Sequence, residues 1–204
     1  KAMVRAKVAG LSGTAEVAAG YLDLAESLAT PPAPRLLITH GLSGSGKTTC
    51  SGELLMADPV ASTLRLRADV ERKRLHGLPP LARSRSDLAG GIYTQEATVR
   101  TYARLGEVAG LMLDAGWSVI IDAAFLKHSE RANFHTLADQ HNADFAILAC
   151  SAPFDELCRR LEARRGDASE ATVAVLKRQL DWVEPLTADE LPLAIHPVQR
   201  SDPT

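Results

Sequence analysis

The 204-residue sequence lacks the features that mark several large classes of protein. Its three cysteines, Cys50, Cys150 and Cys158, are odd in number and show neither C-x-x-C nor Cys/His ligand spacing. This pattern disfavours a disulfide framework and a zinc site, and favours buried thiols. No apolar run reaches the roughly 18 residues that a membrane span requires, and no stretch resembles a secretion signal. We therefore expect no membrane association and a cytoplasmic location.

The sequence also lacks an excess of positive charge. Its 23 lysines and arginines stand against 25 acidic residues, for a net charge of -2, so nucleic acid is not an expected partner. Hydrophobic residues make up 46% of the chain and charged residues 24%, which is typical of a soluble globular protein. The length suits one domain with a small appendage.

A helical segment and a proline-rich linker precede the main domain. Residues 1–29 are rich in alanine and carry apolar side chains at helical spacing. The following stretch, TPPAPR from Thr30 to Arg35, contains three prolines and cannot continue a helix. We predict a helical segment over 1–29, a linker over 30–35 and the main domain over 36–200.

Beyond the linker, strand and helix patterns alternate. This alternation predicts a parallel sheet whose loops at the carboxyl ends of the strands meet at one edge, where ligands bind. The predicted strands cover 36–40, 63–68, 118–122, 144–150 and 193–198, and the predicted helices cover 47–57, 94–115, 129–141, 153–165 and 168–184. The last helix is expected to begin at a capping-box variant, Asp167 to Glu170, and 77–91 is expected to be a long loop.

The strongest motif is a glycine-rich loop directly behind the first predicted strand. The stretch GLSGSGKT, Gly41 to Thr48, matches G-x-x-x-x-G-K-[ST] between a strand and a helix. Such a loop presents backbone N–H groups to an anion at the positive end of the helix dipole. Lys47 is expected to reach the β and γ phosphates of ATP, and the Thr48 hydroxyl to bind Mg²⁺. The predicted nucleotide contacts are Gly41, Leu42, Ser43, Gly44, Ser45, Gly46, Lys47, Thr48 and Thr49.

Two further predicted strands end in carboxylates. Asp122 closes the apolar run VIID, the form of a Walker B element that holds magnesium, although it could also cap a turn. Asp69 follows the second strand, with Arg72 three residues later. Asp69 could accept the proton of an attacking hydroxyl, with Arg72 neutralising nearby anionic charge, or it could simply be an N-cap.

A basic stretch precedes the last predicted helix. Arg160 and Arg164 are four residues apart and are expected to share one helix face, where like charges repel by about 0.2–0.5 kcal/mol. Arginines that arrive from a closing lid can stabilise the charge of a transferred phosphoryl group. A solvated basic face is the alternative.

Four stretches together resemble a known family: HGLSGSGKTT, RADVERKRL, VIIDAAFLKHSER and CRRLEARRGDASEA. They resemble the small P-loop kinases related to gluconate kinase, polynucleotide 5′-hydroxyl kinase, chloramphenicol phosphotransferase and zeta toxin. The chain is more closely similar to the ATP-binding domain found C-terminal to an aminoglycoside-phosphotransferase-like domain in bacterial two-domain proteins. The resemblance covers residues 35–200.

The resemblance implies an α/β fold, the three-layer αβα P-loop NTPase fold, with a five-stranded parallel sheet in the order 2-3-1-4-5. It implies ATP and Mg²⁺ in the glycine loop and transfer of phosphate to a hydroxyl. It also implies that residues 1–29 are the tail of an upstream phosphotransferase-like domain. By position, it makes Asp69 the residue that activates the acceptor, Arg72 the substrate-side arginine, Asp122 the metal carboxylate, and Arg160 with Arg164 the lid pair.

The stretch after Asp122 departs from one branch of this family. Polynucleotide kinases often read DTN where this chain has Asp122, Ala123 and Ala124, so the polar partner of the carboxylate is absent. This difference tells against a polynucleotide acceptor. Arg131, a few residues later, is a further candidate for binding the substrate.

Two functions are compatible with these residues. The first is an ATP-dependent kinase of a small hydroxyl compound, with Lys47, Asp69, Arg160 and Arg164 as its catalytic residues. The second is a module that binds ATP in order to regulate an attached phosphotransferase domain and transfers no phosphate. A GTPase is disfavoured because the chain contains no N-K-x-D motif for reading the guanine base.

Overall fold

A computed structural model describes residues 1–29, 33–59, 61–84 and 91–197. Parts of the predicted linker (30–32), of the predicted loop (85–90) and of the end of the main domain (198–200) lie outside the described residues. The chain divides into two compact units, one covering Lys1–Ala33 and the other beginning at Pro34. None of the described helices is long and apolar enough to cross a membrane.

The first unit is a pair of helices, α1 over Ala2–Leu11 and α2 over Ala15–Ala29. Gly13 lies between them in the left-handed region, with φ of 74°, and lets the chain reverse. The buried residues Ala6 and Ala9 are small enough for close packing. The predicted N-terminal helical appendage is therefore confirmed.

The second unit alternates strands and helices. Its strands are β1 Arg35–His40, β2 Thr63–Arg67, β3 Ser118–Asp122, β4 Asp144–Ala149 and β5 Ala194–Ile195. Its α-helices are α3 Lys47–Met56, α4 Ala68–Leu75, α5 Gln95–Asp114, α6 His128–Gln140, α7 Phe154–Ala163 and α8 Val173–Leu180. Short 3₁₀ helices cover Gly91–Tyr93 and Leu191–Leu193.

The strands form one parallel sheet in the order β2-β3-β1-β4-β5, which confirms the expected topology. Successive side chains of β1 point to opposite faces because the period of a strand is two. Leu36 and Ile38 pack on the face covered by α5 and α6, and Leu37 packs on the face where Leu55 of α3 lies. Helices therefore cover both faces, and the three-layer αβα fold is confirmed.

The last predicted helix was placed wrongly. We expected it to begin at Asp167 and to cover 168–184, but α8 begins at Val173, where the Thr172 side chain accepts a hydrogen bond from the Val175 N–H. The Asp167 and Glu170 carboxylates form ion pairs with basic side chains elsewhere in the fold instead of capping a helix. Tertiary ion pairs here outweighed a local capping pattern.

Candidate functional site

A cleft of about 820 Å³ lies at the carboxyl ends of β1, β2 and β3. Its walls are formed by the glycine loop, the first turn of α4, the segment after β3, the end of α7 and one side of α8. Because loops at the carboxyl ends of parallel strands meet at one edge, three separate stretches of sequence converge there. The volume suits a nucleotide together with a small second substrate.

The backbone of the glycine loop requires glycine at specific positions. Gly44 and Gly46 have φ of 86° and 93°, in the left-handed region that other residues rarely adopt. A Cβ atom at Gly44 would lie 2.8 Å from the Leu157 carbonyl oxygen, and one at Gly41 would collide with the Cys150 carbonyl. The loop therefore packs against α7 and the end of β4 without room for side chains at these glycines.

Lys47 lies within the curve of this loop. Its Nζ donates hydrogen bonds to the Gly41 and Leu42 carbonyl oxygens, both at 2.7 Å. Burial lowers the pKa of Lys47 to about 8, although the carboxylate of Asp122 favours the charged form. The ammonium thus carries its charge at neutral pH, where a phosphate would meet it.

Asp122 is held at the end of β3 by a buried hydroxyl of the neighbouring strand. Thr39 Oγ1 donates to the Ala123 carbonyl and accepts from the Ala123 N–H at 3.0 Å. Asp122 Oδ2 lies 3.3 Å from Arg67 Nε, yet neither atom has a hydrogen-bond partner among the described residues. The two groups therefore form an ion pair without a directed hydrogen bond.

These residues fit a magnesium ion that arrives with a nucleotide. Thr48 and Asp122 both line the cleft and supply hydroxyl and carboxylate oxygens, which Mg²⁺ prefers. Within the described part of the chain, no group of three or more His, Cys, Asp or Glu residues could hold a metal by itself. Mg²⁺ bound through few protein ligands and the substrate phosphates agrees with that observation.

Asp69 and Arg72 lie on the wall formed by α4. Asp69 is half-buried in the cleft, and burial raises its pKa, while Arg72 and the Ser169 hydroxyl oppose that change. Arg72 Nη1 donates to the Ile92 carbonyl and to Thr98 Oγ1, both at 3.1 Å, which fixes the guanidinium. Its buried Nε has no hydrogen-bond partner among the described residues.

Arg160 and Arg164 line the opposite wall, but not as one helix face. The helix ends at Ala163, and Arg164 has an extended backbone with φ of -61° and ψ of 131°. Arg160 Nη1 lies 3.5 Å from the Gly44 carbonyl oxygen, beside the glycine loop. The prediction of a shared helix face was therefore wrong for Arg164, although the fold brings both arginines to the same cleft.

Arg131 does not belong to the cleft. Its side chain is fully buried beneath α6, and all five N–H groups donate to protein acceptors. These acceptors are the carboxylate of Glu190 and the carbonyls of Phe125, Glu184 and Pro185. The structure therefore corrects the prediction that Arg131 binds the substrate, because none of its N–H donors remains for a ligand.

Several cleft residues were not found from the sequence. Gln179 of α8 is buried and accepts a hydrogen bond from the Ser43 N–H at 2.8 Å, which braces the glycine loop. Trp182, two residues after the end of α8, also lines the cleft, with the Lys127 ammonium 5.8 Å from its ring centroid. A glutamine on a helix carries no motif, so only the packing of α8 against the loop reveals it.

The sheet order and the glycine loop before α3 define a fold of the P-loop kinase type. The chain belongs to the family described as AAA domain, whose model matches residues 36–186. It is also 30% identical over 195 residues to an uncharacterized protein of Mycobacterium tuberculosis, a match that covers 89% of this chain. The chain spans 38% of the length of that relative.

Solved kinase structures share this fold. An unliganded sugar kinase from Janibacter sp. HTCC2649 has a TM-score of 0.55 and 24% identity, covering 80% of this chain and 84% of its own. An APS kinase of Mycobacterium tuberculosis in complex with AMPPNP and APS has a TM-score of 0.55 and 21% identity, covering 83% and 92%. At these identities the likeness concerns the fold.

Proposed function

We propose that this chain binds ATP with Mg²⁺ in the cleft and transfers the γ-phosphoryl group to a hydroxyl of a small acceptor. The observation that carries the proposal is the position of Asp69. Asp69 lines the same cleft as Lys47 at the end of the glycine loop and Asp122 of β3, although these residues lie at the ends of three different strands or directly after them in the chain. Membership of the family and the kinase fold support an ATP-binding domain of kinase type.

The residues have distinct parts in this reaction. Asp69 accepts the proton of the acceptor hydroxyl. The hydroxyl oxygen forms a bond to the γ-phosphorus while the bond between the γ-phosphorus and the β,γ-bridging oxygen breaks, which releases ADP. Lys47 and the guanidinium groups of Arg160 and Arg164 stabilise the negative charge on the transferred group. Thr48 and Asp122 would hold Mg²⁺, which supplies charge neutralisation at the phosphates when bound.

The acceptor is proposed to lie between α4 and the segment after β3. Arg72 lines this part of the cleft with a positive charge, which suits an acceptor with an anionic or strongly accepting group near its hydroxyl. Ala123 and Ala124 also line this part of the cleft and offer no polar side chain. We therefore favour a small molecule over a nucleic-acid end.

Formation of ADP from ATP and Mg²⁺, measured against a panel of acceptors, tests the proposal. The panel contains sugars, sugar acids, nucleosides, an adenylyl sulfate, aminoglycosides and nucleic-acid ends. Asp69→Asn should keep ATP affinity and lower turnover by about 10²–10⁴-fold, because a positioned general base contributes that much. Asp144→Asn is the matched control, since Asp144 begins β4 at the opposite edge of the sheet and is exposed.

The same panel separates the two functions. ATP binding with no phosphorylated product, and equal behaviour of Asp69→Asn and the unmodified chain, would overturn the kinase proposal in favour of an ATP-sensing module. We propose for either case that residues 1–29 belong to an upstream phosphotransferase-like domain. The greater length of the mycobacterial relatives supports this arrangement.

A further inference from the structure

The segment between α7 and α8, residues 164–172, lies against the sheet edge as a strap. Ala168 at its centre is fully buried, and its carbonyl accepts a hydrogen bond of 2.7 Å from Lys73 Nζ of α4. The same Nζ lies 3.0 Å from Glu170 Oε1, and Ser84 Oγ donates to Glu170 Oε2 at 2.7 Å. These contacts attach the strap to α4.

A second attachment leads from the strap to the sheet. Arg67, the last residue of β2, lies between two carboxylates: its Nη2 is 2.6 Å from Asp167 Oδ1 and its Nε is 3.3 Å from Asp122 Oδ2. Asp167 Oδ2 is in turn 3.9 Å from Arg164 Nε. Negative and positive side chains thus alternate in the series Asp122, Arg67, Asp167 and Arg164.

We propose that Arg67 is a positioning residue that sets both the Asp122 carboxylate and, through Asp167, the Arg164 guanidinium. Asp122 and Asp167 approach the same guanidinium, and without it their negative charges would be left close together at a partly buried site. Burial raises the pKa of Asp167, but the hydrogen bond and charge of Arg67, together with the Ser169 N–H and the charge of Arg164, hold this pKa below its usual value. The contact between Arg67 and Asp167 therefore stabilises the ionised form of the Asp167 carboxylate.

The consequence concerns the arginine wall of the cleft. Arg164 leaves α7 on an extended backbone, so no helix geometry fixes its direction. Two attachments of the strap, through Lys73 and through Arg67, instead hold it in the cleft without any bound ligand. The role of Arg164 in phosphate binding rests on the proposed function. The attachment of the strap through Lys73 and Arg67 does not depend on that function.

Hydrogen exchange of the backbone amides in residues 164–172 tests the attachment in the full chain without nucleotide. Arg67→Met and Asp167→Asn should each raise strap exchange roughly 10- to 150-fold, since a charge-assisted hydrogen bond contributes roughly 1.5–3 kcal/mol. The double variant should exchange no faster than the faster single variant, because Arg67→Met already removes the contact with Asp167. Arg67→Lys should recover part of the protection, and Arg104→Met, which removes an exposed pair with Glu107, should leave it unchanged.

Unchanged strap protection in Asp167→Asn, or a double variant whose effect is the product of the two single effects, would overturn the proposal. Asp167→Asn removes only a charge and keeps the side-chain shape, so it decides the matter even if Arg67→Met fails to fold.

Titration with ATP in the presence of EDTA tests the consequence for Arg164. In the unmodified chain, Arg164→Met should raise the Kd for metal-free ATP. In the Asp167→Asn background, the fold increase in Kd caused by the same substitution should be at least threefold smaller. Equal losses in both backgrounds would overturn the link to Arg164. If ATP binds to neither the variants nor the unmodified chain, with EDTA or with Mg²⁺, the proposed function fails, and the exchange data alone decide the role of Arg67.

Discussion

Arg131 and Glu190 form a bidentate pair in the interior of the domain. Arg131 Nε lies 2.7 Å from Glu190 Oε1 and Nη2 lies 2.9 Å from Oε2, with the arginine fully buried. This pair holds the segment before β5 against α6, and it explains why an arginine within a motif of a kinase family does not face the cleft.

Replacement of Arg131 tests this structural role. Arg131→Met leaves the Glu190 carboxylate buried without its partner, so the free energy of unfolding should fall by about 3–5 kcal/mol. Denaturant unfolding measures the change, and Arg104→Met at an exposed pair should cost about 0–1 kcal/mol. Normal stability combined with a raised KM for the acceptor would instead restore Arg131 to substrate binding.

The same pair predicts how stability depends on acid. Burial raises the pKa of Glu190, but Arg131, the Thr187 N–H and His128 together lower it from 4.5 to about 2. A lowered carboxyl pKa stabilises the fold above the unfolded pKa, and this contribution, on the order of 3 kcal/mol, disappears as pH falls from about 4.5 to about 2. Glu190→Gln should lose this part of the acid dependence, and an unaltered profile would contradict it.

ATP affinity should depend on the protonation of Lys47. Burial lowers the pKa of Lys47 to about 8, so its charge is present at pH 7 and decreases as pH rises through that value. The Kd for ATP, measured by calorimetry, should rise above pH 8 by up to about tenfold per pH unit. Lys47→Met should bind more weakly and show no such rise, and a Kd of the unmodified chain that is constant to pH 9.5 would refute the role.

Arg72 should set the acid limb of turnover. Burial raises the pKa of Asp69 and Arg72 lowers it, while the proposed reaction needs the ionised carboxylate, so turnover should increase with pH through this raised pKa. Arg72→Gln removes the opposing charge and should move the acid limb to higher pH by about one unit or more. Arg72→Lys keeps a positive charge and should shift it less. The pH profile of kcat measures the effect, and an unmoved limb in Arg72→Gln would exclude the interaction.

Gln179 should support the glycine loop from α8. Gln179→Ala leaves the Ser43 N–H without its acceptor, and a buried unsatisfied donor costs about 1–3 kcal/mol, so the Kd for ATP should rise about tenfold. Gln140→Ala, an exposed glutamine at the end of α6, is the matched control and should change nothing. Equal Kd values for the two variants would show that the loop keeps its shape without this bond.

Local patterns and family resemblance predicted much of this fold and part of the cleft. The glycine loop and the strand that ends in Asp122 could be predicted because each depends on residues close together in the chain or on a motif tied to one geometry, and the sheet order followed from the family resemblance. The start of α8 could not be predicted, because the Asp167 carboxylate had two possible partners, a nearby backbone N–H and the distant Arg67. The long-range ion pair prevailed.

The amino-acid sequence by itself determined that a glycine loop leads from β1 into α3, because Gly44 and Gly46 permit the left-handed backbone that the loop adopts and the G-x-x-x-x-G-K-[ST] spacing places Lys47 at the start of the helix. Tertiary structure alone decided which distant side chains complete the cleft. Arg67 at the end of β2 reaches Asp122 and Asp167, while Arg131 of α6 turns inward to Glu190. The physical reason is that a charged side chain is stabilised by whichever opposite charge the packed strands and helices bring within reach, and the order of residues along the chain does not encode that distance.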